Sequence, residues 1–164
     1  MNIHLRDNLL ATGPHLIVRK PSDETVNSAG TGSTLQDDND LLVAVGASDI
    51  WQFVFNIIYS SNTTADFKFA FTQPAGGKIS GSGVAFSPVL ATIMSNLNGD
   101  TGSPTSSNAL GGAALATPIL HRFDGIWTGG GTAGNVRLQW AQNTSDAGNT
   151  VVHANSTLWA VKLV

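Results

Sequence analysis

Apolar and polar residues alternate most clearly between Asp49 and Tyr59, where Trp51, Phe53, Phe55, Ile57 and Tyr59 occupy odd positions and Gln52 and Asn56 even ones. That period of two predicts an extended strand with one buried face, since a helix would scatter the rings around its circumference. Phe67, Phe69 and Phe71 repeat the pattern a few residues later. The polar stretch from Ser60 to Thr64 between them is rich in turn formers, so the pair reads as a hairpin with an aromatic inner face. One sheet cannot hide its own apolar face, so a second layer must cover it.

The same reading along the chain predicts short strands at 15–20, ended by Pro21, at 41–45 and at 83–86. Further strands are expected across 119–128, at 135–142 with Val136, Leu138 and Trp140 inward, and at 157–163 with Trp159, Val161 and Leu163 inward. Segment 88–97 admits either one short helix or a strand: Ser87 and Pro88 suit a helix start, and Val89, Leu90, Ile93 and Leu97 are spaced by three and four. Residues 22–40 are polar with two glycines and read as a long surface loop or an extended arm, the kind of long loop that usually has a binding role. Residues 98–112 form a second loop, and 73–77 a turn. The expected fold is all-β, an antiparallel sandwich or jelly roll of seven or eight strands. Residues 1–14 form an N-terminal arm and 15–164 one domain. The expected core is Trp51, Phe53, Phe55, Phe67, Phe69, Phe71, Trp140 and Trp159.

Composition narrows the function more than the fold. A chain of 164 residues with 12% charged and 41% hydrophobic positions and 18 glycines must build its surface from uncharged polar residues, whereas about a quarter of residues are ordinarily charged. Such a surface fits life in an assembly. A net charge of −3 with 8 Lys and Arg excludes the clustered cations that nucleic-acid binding needs. The one pair, Arg19 and Lys20, reads as a solvated strand end. There is no Cys, hence neither a disulfide nor a thiolate metal site. No stretch approaches the ~20 apolar residues of a membrane helix, and the first residues lack the apolar core of a secretion signal.

Motifs for chemistry are correspondingly thin. His4, His15, His121 and His153 have no zinc spacing. Asp37, Asp38 and Asp40 concentrate oxygen ligands, but Leu41 and Leu42 stand where an EF-hand needs more of them, so a solvated turn is expected instead. Gly129, Gly131 and Gly134 match a dinucleotide fingerprint without the helix that would give it meaning. Among the carboxylates, Asp49, Asp66 and Asp124 lie near strand ends, where a glycosidase pair could assemble. No catalytic residue, cofactor or metal is therefore assigned, and the chain is not expected to be an enzyme. Asn62, Asn143 and Asn155 open formal glycosylation triplets that matter only in a secretory pathway.

The run from Thr34 to Leu41 leading into the aromatic strand, the alternation Asp66 to Phe71, and that of Val136 to Gln142 together resemble small virion proteins of tailed bacteriophages. Within that group the chain is similar to capsid decoration (cement) proteins and to globular fibre tips. The first likeness implies a small β-domain, often a homotrimer, made in the host cytoplasm. It would sit on the outer capsid surface, bind the major capsid protein and copies of itself, and use no cofactor. The candidate partner-contact arm is then Ile3, His4, Leu5, Arg6, Leu9 and Leu10. The second likeness implies a receptor- or glycan-binding domain, for which Trp127 beside the glycine turn is the candidate stacking platform.

Overall fold

The computed structural model describes residues 14–27, 30–86, 93–99, 108–113 and 117–163. The expected arm contacts, from Ile3 to Leu10, lie outside the described residues. The described residues form twelve strands: β1 (His15–Arg19), β2 (Glu24–Val26), β3 (Gln36–Val45), β4 (Ile50–Ser60), β5 (Phe67–Thr72), β6 (Lys78–Phe86), β7 (Ile93–Gly99), β8 (Asn108–Leu110), β9 (Ile119–Thr128), β10 (Gly134–Gln142), β11 (Thr150–Val152) and β12 (Thr157–Lys162). They make an antiparallel β-sandwich. The larger sheet runs β1-β12-β4-β9-β6-β7, with β11 joining β4 and β2 joining β11; the smaller runs β3-β10-β5-β8. The two aromatic strands therefore do not pair as a hairpin. β4 lies in one sheet and β5 in the other, and their rings meet across the interior, as between Phe55 and Phe71, whose centroids are 4.8 Å apart.

The core follows from that facing arrangement. Phe53, Phe55, Ile57, Tyr59, Phe67, Phe69, Phe71, Phe123, Trp127 and Trp140 are buried, with Trp51 close behind. β9 shows the period of two without a break, Ile119, His121, Phe123, Gly125 and Trp127 pointing in. Gly125 belongs to the series because a side-chain carbon there would lie 2.8 Å from the rings of both Phe53 and Phe123.

Several expectations are corrected. Trp159 is not in the core: it stands on the outside, 53% exposed, while Leu158 and Ala160 point inward. The segment is apolar in both phases, and its neighbour decides which phase is buried. Leu158 and Ala160 sit opposite Phe55 and Phe53 of β4, and opposed residues share a face. Segment 22–40 is not one loop, since β2 pairs with β11 and β3 already starts at Gln36. Where a helix was one reading of 88–97, residues 93–99 form β7, paired with β6; residues 88–92 lie outside the described residues.

His121 is fully buried, its ring 4.7 Å from that of Phe69. Burial pushes its imidazole down to about 4 from the ordinary 6.5. The folded protein thus keeps it neutral while the unfolded chain takes up a proton near pH 6.5, so stability falls as pH drops through that window. The loss should begin below pH 6.5 and be complete near 4, totalling about 3 kcal/mol. Urea midpoints measured from pH 7 to 4 check this against His121→Phe, whose profile is expected to be flatter. Parallel profiles would overturn the assignment.

Candidate functional site

Two polar clusters and one surface are candidates for function. In the first, Lys20 follows β1 and turns inward. Its ammonium lies 2.6 Å from Glu24, 3.0 Å from Asp38 and 3.1 Å from Asp40. Among the described residues these are the three carboxylates whose oxygens gather closely enough to hold a metal ion, and the Lys20 Nζ stands among them as their cation. Asp38 is completely buried. Its Oδ1 accepts from the backbone N–H groups of Asp40 and Leu41, and its Oδ2 also accepts from the Trp140 indole at 3.2 Å. Burial by itself would lower the Lys20 pKa, but hydrogen bonds to Glu24, Asp38 and Asp40 outweigh it and hold the ammonium above its ordinary value. Lys20 of the expected solvated strand end and Asp38 and Asp40 of the expected solvated turn thus belong to one internal cluster. Arg19, Asp37 and Asn39 face out, Asp37 taking hydrogen bonds from Arg137 and Gln139. No spacing rule signals this cluster, because its members are brought together by β1, β2 and β3.

The second cluster was invisible in the sequence. Ser60 ends β4, His153 follows β11 and Asp23 precedes β2. The Ser60 Oγ lies 2.9 Å from His153 Nε2, and His153 Nδ1 lies 3.2 Å from Asp23 Oδ2. Nucleophile, base and orienting carboxylate stand in hydrolase order. The hydroxyl, however, belongs to a residue with no exposed surface, so no acyl group can reach it. Asp23 also accepts from the Ala154 backbone at 2.8 Å. That bond, with the nearby His153, holds its carboxyl below the usual range. The trio ties the approach to β2 onto β4 and β11.

The acidic residues considered for glycoside chemistry are each engaged locally. Asp49 receives Lys162, the Gly46 N–H and the Trp51 indole, Asp66 receives the Gly112 N–H, and Asp124 pairs with Arg122. Trp127, the candidate glycan platform, is fully buried.

The third feature is a surface. The outer face of the larger sheet carries Ile17 beside Trp159, and Trp159 beside Val54, in one cross-strand row. The next row sets Val161 beside Gln52 and Gln52 beside Ile126. Ile17, Trp159, Ile126 and Leu163 are 63, 53, 45 and 38% exposed. The outer face of the smaller sheet is of opposite character, with Arg137 donating to Asp37 and Gln139 beside it.

No family model and no curated protein matches the chain. Among solved structures it is similar to the tripod from the baseplate of bacteriophage Tuc2009, at 9% identity and a TM-score of 0.30, over 86% of this chain and 63% of that one. It is also similar to the VP2 subviral particle of infectious bursal disease virus, at 11% identity and a TM-score of 0.24, over 92% of this chain and 41% of that one. The chain thus spans less than two thirds of the length of either.

Proposed function

We propose that the chain is a non-enzymatic structural protein of a virion, a decoration or cement protein that binds the outer surface of a capsid. One observation carries this reading: among the described residues the converging polar clusters are consumed inside the fold, Lys20 by three carboxylates and Ser60 behind a closed surface. What remains outside is weakly charged and partly apolar, a surface for docking rather than turnover. The sandwich acts as the rigid body, and the first 14 residues add contact area on the major capsid protein and on other copies, at an ordering cost on docking.

Adding purified protein to shells that lack it tests the proposal. Saturable binding and a higher shell disruption temperature are expected, with lower occupancy after deletion of residues 1–13. Undiminished occupancy would remove the arm from the mechanism, and absence of any binding would sink the decoration reading. The fibre-tip alternative loses its stacking platform with Trp127 in the core.

A further inference from the structure

We infer that the outer face of the larger sheet, centred on Trp159, is the surface through which copies of this chain pack on one another. The inference deepens the structural reading above and rests on it, but it concerns contacts made without a shell. At their exposures Ile17, Trp159, Ile126 and Leu163 leave about 400 Å² of apolar side chain open. A standard interface buries about 800 Å² on each partner, of which roughly 450–500 Å² is apolar, so this face with its half-buried neighbours Val54 and Val161 supplies what a stable contact needs. The Trp, with Ile17 and Val54 as its cross-strand partners and Val161 two residues on, is the kind of large exposed ring that serves as an interface hot spot.

Charge favours a second copy as the occupant. Arg122 and Asp124 on the same face neutralise each other at 2.8 Å. The remaining cations of the face, Arg19 and Lys78, lie on strands at opposite sides of it, in β1 and β6, and Arg19 is already donating to Asn155. Two identical faces can therefore meet without like charges at the centre, which a strongly charged face could not do. The hydrogen-bonded polar face of the smaller sheet offers no comparable burial.

The protein carries its own probe. Of its 4 tryptophans, Trp51, Trp127 and Trp140 are buried, so collisional quenching of fluorescence reports on Trp159. In sedimentation and quenching across a dilution series without shells, the full chain should be oligomeric at high concentration. Accessibility to acrylamide should rise several-fold as it dissociates. Trp159→Asp and, independently, Ile17→Asp should be monomeric with an unchanged circular dichroism spectrum, while Gln139→Asp on the other sheet should assemble normally.

A chain monomeric at every concentration overturns the inference. If Trp159 is then protected only on shells, the face belongs to the capsid contact and the decoration reading stands. An oligomer indifferent to both substitutions also overturns it. So does a monomer in which Trp159 is shielded until residues 1–13 are deleted, since the arm would then be covering its own sheet.

Discussion

Replacing Lys20 with methionine is expected to destabilise the fold by about 3–5 kcal/mol, the cost of leaving buried charge without its partner. Asp38 has no exposed surface, and Glu24 and Asp40 lie within hydrogen-bond reach of the same ammonium. Without the cation, three carboxylates face one another in a medium that screens them poorly. The cluster also spans the two layers, since Lys20 continues from β1 of the larger sheet and Asp38 belongs to β3 of the smaller. For a domain of this size each kcal/mol moves the melting temperature by about 2–4 °C, so the midpoint should fall by roughly 6–20 °C. Pairing Lys20→Met with Asp38→Asn separates charge from packing: the double variant should be more stable than the two single losses added together, by about 1–3 kcal/mol. Strict additivity would mean that the cluster is not an energetic unit.

Phe71→Ala should cost a comparable 3–5 kcal/mol for a different reason, the cavity it opens between the sheets. Phe71 projects from β5, and its ring centroid lies 4.8 Å from Phe55, 5.0 Å from Phe123 and 6.3 Å from Phe53, all three on the opposite sheet. Leucine at that position retains much of the volume and should recover more than half of the loss. Trp159→Ala is the informative comparison. It removes an even larger ring from the outer face, yet in the monomer it should change stability by less than about 1 kcal/mol. Equal destabilisation in the two variants, read from urea unfolding at low protein concentration, would contradict the assignment of Trp159 to the outside.

These contrasts also mark how far the chain could be read before its fold was known. Alternation was decisive where one phase was ring-rich and the other carried the polar residues, as in β4 and β10, and there Phe53 and Trp140 point into the core. It failed in β12, where Leu158 and Ala160 compete with Trp159 and Val161 and only the register against β4 breaks the tie. Partner choice was equally hidden. The short connection from β4 to β5 suggested a hairpin, but pairing across a sandwich depends on distant strands, β12 and β9 for β4, and β10 and β8 for β5. The polar sites were least legible of all. Lys20 looked like a surface cation because nothing in its neighbourhood announces Asp38, and Ser60, His153 and Asp23 carry no shared motif because three separate strand ends deliver them.

The pairing of β1 with β12 has a bearing on how the protein is made. β1 emerges ahead of every other described strand, but the only strand that hydrogen-bonds to it, among the described residues, is more than a hundred residues downstream. A ribosome adding roughly 5–20 residues per second therefore leaves that ribbon without its ladder for several seconds. During this interval the nascent chain must be kept from pairing with its neighbours on the same message, and the prolines at positions 14 and 21, which cannot donate to a ladder, shorten the stretch that could do so.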